Sequence, residues 1–200
     1  MLLYLLVPIA YIIGSIPIAY LLGKRSTIDI TKVGSKNVGT VNVWRSLGWR
    51  PGMSVLVFDV GKGVFIMALA LGLGLSEWLA FSLAMAVTIG HNFSLFLGFK
   101  GGKGAAVVFG LSLVILPIIT LLAVISLPIV FYLTRSIVWS FFTGLVVLNV
   151  LTVTTAQPAA QIALCFSLSL VVVATHLWRI RHDLLPTLRR LDFVRFGQTE

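Results

Sequence analysis

The chain predicts an all-α integral membrane protein of seven transmembrane helices, and three observations predict it. Its 200 residues are 58% hydrophobic and only 10% charged, against roughly half and a quarter in soluble domains. The apolar residues fall in runs of about twenty, the length that crosses a hydrocarbon core of about 30 Å. The cations gather between those runs: 15 Lys+Arg against 6 Asp+Glu give a net charge of +9.

The first run, Leu2 to Leu22, has no basic stretch before it and ends at Lys24-Arg25, so it reads as a retained span and not a signal peptide. Gly52 to Leu73 and Trp78 to Leu97 follow as the second and third spans. The 29 residues from Ala105 to Leu133 would make one helix of about 44 Å, too long for the core, and Pro117 and Pro128 interrupt them. Two short helices within 105–134, turning near Pro117, are expected instead. Val138 to Val153 and Ala159 to Leu177 complete the seven.

Charge selects this count. Short cytoplasmic loops carry the Lys/Arg excess, and seven spans place Lys24, Arg25, Lys32, Lys36, Arg45, Arg50, Lys100, Lys103, Arg135, Arg179, Arg181, Arg189, Arg190 and Arg195 on one side, 14 of the 15 cations. Six spans would send Arg135 and the basic tail to the other face. The N-terminus is therefore expected outside and the C-terminus in the cytoplasm. One membrane domain over 1–200 is expected, with cytoplasmic segments at 23–51 and 98–104 and a basic tail at 178–200. His176 and Arg179, at the inner end of the last span, read as interfacial anchors.

Several function classes drop out. The single cysteine, Cys165, permits neither an intrachain disulfide nor a thiolate zinc site. No nucleic-acid motif accompanies the positive charge. A transporter would be expected to show paired interrupted helices or internal repeats, and the sequence has no repeat. A purely structural protein has no need of two glycine-bearing basic segments on one face. Those two segments hold the polar chemistry, because the outer connections carry little beyond Glu77 and neutral residues.

Phe99-Lys100-Gly101-Gly102-Lys103-Gly104 leads directly into an apolar helical run. Its glycines can turn backbone N–H groups toward one point, and the helix start adds unpaired donors. Taken alone it serves equally as an anion cradle or as a basic turn; it is not a nucleotide-binding P-loop, since Gly104 stands where Ser or Thr is required. From Asp29 to Arg45 the chain packs hydroxyls, amides and two glycines ahead of an arginine, a composition suited to a nest of donors around an oxyanion. An ordinary polar loop is the other reading. Within the second span, Asp59 and Lys62 are spaced to pair, since unpaired charge there costs at least about 2.5 kcal/mol.

Together the two segments resemble those of the bacterial acyl-phosphate:glycerol-3-phosphate acyltransferases, seven-span enzymes that make lysophosphatidate. Ser35, Asn37, Gly39, Asn42 and Arg45 stand in register with that family's first block. Gly90, His91, Phe93, Phe96, Phe99, Lys100, Gly101, Gly102, Lys103 and Gly104 match the second. Asp59 and Lys62-Gly63 fall between the blocks as they do in the family. Lys36 stands where the family has glycine. The third block is represented by His182, Arg190-Leu191, Gly197 and Glu200, without its asparagine.

The resemblance implies a cofactor-free and metal-free enzyme of the bacterial inner membrane, working as a monomer among lipids, with acyl phosphate and glycerol 3-phosphate as partners and an active site facing the cytoplasm. It implies Ser35, Arg45 and Lys103 as catalytic residues. Asn37, Gly39, Asn42, Gly101, Gly102, Gly104, His91 and His182 follow as substrate-binding ones. An acyl phosphate is already activated, so positioning and charge stabilisation are the enzyme's main tasks and no protein nucleophile is needed. Asp29, His91, His182 or a bound phosphate could take the proton. The sequence lacks the His-x-x-x-x-Asp pairing of glycerophosphate acyltransferases that use coenzyme A thioesters.

Overall fold

A computed structural model describes residues 2–189, with side chains described through Arg181. The described residues form nine α-helices: α1 (Leu6–Ser15), α2 (Ile18–Arg25), α3 (Thr40–Leu47), α4 (Trp49–Gly72), α5 (Glu77–Asn92), α6 (Ala105–Ile115), α7 (Pro117–Thr134), α8 (Ile137–Thr154) and α9 (Ala159–Arg189). Six segments are long and apolar enough to cross a membrane, α1 and α2 together making the first; α6 is shorter. At about 1.5 Å per residue α6 reaches about 16 Å.

The tract expected to split near Pro117 does so. Leu116 leaves helical geometry and Pro117 opens α7 as its first residue, where a missing N–H costs nothing. Pro128 lies inside α7 without ending it. Two elements differ from expectation. The polar stretch before the second span contains α3, bounded by Gly39 and Gly48, with Asn42 and Val43 buried. The first span is broken at Ile16-Pro17, because proline offers no N–H to the preceding turn and Ile18 bonds only locally, to the Ile16 carbonyl at 3.2 Å.

The chain divides after Ile115 into two compact units. In the first, α1 packs on α5 and α4 on α6. Both contacts use reciprocal glycines: Gly14 meets the Val87 backbone while Gly90 meets that of Tyr11, and Gly63 meets Val107 while Gly110 meets Val60. Small residues allow this approach where lipid supplies no hydrophobic drive between helices. Polar groups then fasten α1 to the end of α5: the Tyr11 hydroxyl donates to the Phe93 carbonyl at 2.7 Å, and Ser15 Oγ to that of Gly90 at 3.3 Å.

In the second unit α8 packs on α7 and α9. Asn149 Nδ2 donates to Ser169 Oγ at 2.7 Å across α8 and α9. His176 corrects the expectation of an interfacial anchor: it is buried, edge-on to the Phe142 ring at 5.3 Å. Arg181 lies over the Trp178 ring, 4.0 Å from its centre. Exposed side chains such as Leu121, Ile125, Ile129 and Leu133 on α7 present the apolar surface a bilayer requires.

Candidate active site

The loop between α2 and α3 is organised from within by Asn42. That side chain is 2% exposed. Its amide nitrogen lies 3.1, 3.1 and 3.0 Å from the carbonyls of Ile30, Val33 and Asn37, and its Oδ1 accepts the Ser35 N–H at 3.2 Å. One residue of α3 thus fixes the path of a loop that reaches back to Ile30. The amide is spent on that loop, which gives Asn42 the geometry of an organiser. At the loop's start, Asp29 accepts from the Thr31 hydroxyl at 2.6 Å and from its N–H at 3.0 Å, and pairs with Lys32 at 3.2 Å. The Thr31 hydroxyl holds the Asp29 carboxyl below its ordinary value. This local contribution is present above the usual carboxylate range and is lost as pH falls through the lowered value.

Lys36 adopts φ +58°, the left-handed region that favours glycine. The family's glycine at this position therefore has a backbone cause. Lys36→Gly is expected to raise stability by up to about 1 kcal/mol, read as a higher midpoint in the thermal loss of helical content by circular dichroism.

The second loop rests on His91. The Gly102 N–H donates to the His91 carbonyl at 2.9 Å. A Cβ on Gly102 would fall into the His91 ring, and one on Gly101 into its carbonyl, so both positions exclude a side chain. Gly104 has φ +88° and hands the chain directly to α6. His91 is held in turn, its Nδ1 lying 3.5 Å from Asp59 Oδ1. Lys62 Nζ lies 3.1 Å from the same oxygen, so the expected pair forms and is buried.

A cleft joins these parts. It is a narrow crevice of about 10 Å³, partly open to solvent, and its walls include Ile16, Pro17, Val38, Asp59, Lys62, His91, Ser94, Gly101 and Gly102. Val38 from the first loop thus lines one cleft with Gly101 and Gly102 from the second, although the loops are far apart along the chain. Ser35, Arg45 and Lys103 are not among the wall residues. Ser35 and Lys103 are half-buried on the segments that supply the walls, and Arg45 is exposed on α3. Asn37 and Gly39 belong to the Asn42-bound loop. The His182 side chain lies outside the described residues, as does the third block beyond Arg189.

Sequence reasoning missed three contributors: Val38, the broken backbone at Ile16-Pro17, and Ser94, whose hydroxyl donates to the Ser15 carbonyl at 2.5 Å. The proline inside an apolar run was the available signal.

Fold and cleft define a class: a multi-pass helical membrane protein with a polar, glycine-floored cleft closed by two non-adjacent loops. Residues 4–185 match the family model described as glycerol-3-phosphate acyltransferase. A glycerol-3-phosphate acyltransferase of Thermus thermophilus is 38% identical over 186 residues, covering 92% of each chain. Glycerol-3-phosphate acyltransferase 1 of Deinococcus radiodurans is 40% identical over 184 residues with the same coverage. Among solved structures, the integral membrane glycerol 3-phosphate acyltransferase PlsY (YgiH), in its glycerol 3-phosphate form, superposes with a TM-score of 0.85 at 26% identity, covering 96% of this chain and all of that one. The chain belongs to the glycerol-3-phosphate acyltransferase family.

Proposed function

We infer that this protein is an acyltransferase that moves a fatty acyl group from acyl phosphate to the sn-1 hydroxyl of glycerol 3-phosphate, giving lysophosphatidate for phospholipid synthesis. Family membership sets the reaction class. The observation that carries the site is that Val38 lines one cleft with Gly101 and Gly102, which supports the two loops acting as one site.

In this reading the amides of Gly101, Gly102 and Gly104, with Lys103, hold one phosphate, and Ser35 with Arg45 holds the other. The acceptor oxygen attacks the acyl carbonyl carbon, the carbon–oxygen bond to phosphate breaks, and the cationic groups offset the charge on the departing phosphate. The acceptor's proton passes to a phosphate oxygen. His91 suits a supporting role better than that of base, since one ring nitrogen faces Asp59 and the ring packs on Gly102. A phosphate base predicts that the acidic limb of turnover against pH, where a histidine base would be protonated and idle, survives in both His91→Ala and His182→Ala. Its loss in either assigns the proton to that histidine.

The remaining short helix α6 is proposed as the further pass that brings the count to seven. The N-terminus then lies outside and the cleft faces the cytoplasm at the inner membrane, in agreement with the segregation of basic residues. The protein is proposed to work as a monomer.

The test is direct: purified protein is given palmitoyl phosphate and radiolabelled glycerol 3-phosphate, with palmitoyl-coenzyme A as the control donor. Lysophosphatidate from the phosphate donor alone is expected. Product from the thioester alone would overturn the donor assignment, and product from neither would overturn the enzyme reading.

A further inference from the structure

The intramembrane ion pair touches more than itself. Lys62 Nζ lies 2.7 Å from the Ile16 carbonyl, 3.4 Å from that of Gly14 and 3.1 Å from Asp59 Oδ1, so all three ammonium hydrogens have acceptors. The two carbonyls lie at the break of the first span, where regular helical bonding stops and the Ile16 carbonyl receives the Ile18 N–H at 3.2 Å. Ser94 takes the carbonyl between them, that of Ser15. Three successive carbonyls of a broken membrane helix are therefore met by side chains from α4 and from the turn after α5. Asp59, held by Lys62, faces the His91 ring, and that ring is the surface on which Gly102 rests. The contacts run without interruption from the break, through Lys62, Asp59 and His91, to the glycine loop.

We propose that Lys62 and Asp59 are positioning residues for acyl transfer: they fix the height of the Gly101-Gly102 backbone by setting the His91 ring and by tying it to the broken first span. This rests on the acyltransferase reading above. Both line the cleft, but their charged groups are engaged by each other, by the carbonyls of the first span and by His91. Their effect is to hold backbone donors where a phosphate needs them, and displacement of a binding group by about 1 Å is enough to cost as much as about 100-fold in rate.

Two variants test it, Lys62→Met, which keeps length without charge, and Asp59→Asn, which keeps shape. Retained folding is checked by helical content from circular dichroism and by elution of the detergent-solubilised protein on gel filtration. In folded protein, KM is expected to rise at least about tenfold for the one substrate whose phosphate occupies the glycine loop, with the other KM within about threefold. Trypsin cleavage after Lys100 and Lys103 is expected to accelerate in parallel. A Lys62→Cys, Cys165→Ala protein is then treated with 2-bromoethylamine, which rebuilds an ammonium at nearly the length of lysine, and the KM is expected to return toward that of the parent. Folded variants with unchanged KM values and unchanged trypsin sensitivity would overturn the proposal. So would losses that are equal for both substrates and track loss of fold. Should the unmodified protein show no turnover, the acyltransferase reading fails, and trypsin sensitivity alone decides the positioning role.

Discussion

Gly102→Ala is expected to lower kcat/KM by at least about 100-fold while leaving the helices intact. A methyl group at this position has nowhere to go, because it would overlap the His91 imidazole. The ring cannot retreat without giving up its approach to Asp59, 3.5 Å away. The loop must therefore lift, and the Gly102 N–H loses its bond to the His91 carbonyl. Overpacking of this kind costs about 1–3 kcal/mol, which a membrane bundle survives. The damage falls on function, because the lifted segment carries the proposed phosphate donors and Lys103. Helical content by circular dichroism and kcat/KM, measured on the same preparation, separate the two effects. Near-normal activity would mean that the glycine loop is only a turn.

Asn42→Ala is expected to have a comparable effect by a different route. The substitution removes the group that serves the carbonyls of Ile30, Val33 and Asn37 and the N–H of Ser35. Leaving a buried polar group unserved costs about 1–3 kcal/mol each, and the loop relieves this by opening to water. Ser35 then leaves its place and Val38 leaves the cleft wall, so kcat/KM is expected to fall by about 100-fold with little change in helical content. Asn42→Asp discriminates this role from direct substrate contact. A carboxylate still accepts from Ser35 but has no N–H to donate to the surrounding carbonyls, so it is expected to be as damaging as alanine. Substantial activity in the Asn42→Asp protein would remove Asn42 from the loop's architecture.

The legible and illegible parts of this molecule divide along physical lines. Long apolar runs bounded by charge identify their helices because solvation acts on every residue, and the split at Pro117 follows because length and proline point to one place. Pro128 gives the opposite outcome from the same residue type, since α7 continues through it. Composition does not separate a proline that ends a helix from one carried within it. Helix α3 was hidden because a helix this short, set in a polar stretch, gives too few turns for its period to register. Glycine spacing exposed the second loop, but the reason for Gly102 lay in His91, on the preceding helix and visible only in three dimensions. Asn42 stood out by type and register, whereas its inward-facing amide depends on backbone geometry that no spacing encodes. His176 stands near the polar end of its helix in sequence and is packed inside in space.

The central claim is that the segment before α3 and the segment before α6 form one site. Cysteines at Val38 and Lys103, in a Cys165→Ala background and in intact membranes, test it with a short bifunctional thiol reagent. The expected result is rapid intramolecular cross-linking, because Val38 shares a wall with Gly102, the neighbour of Lys103. Two cysteines that each react singly yet never become bridged would place the loops apart and contradict the account.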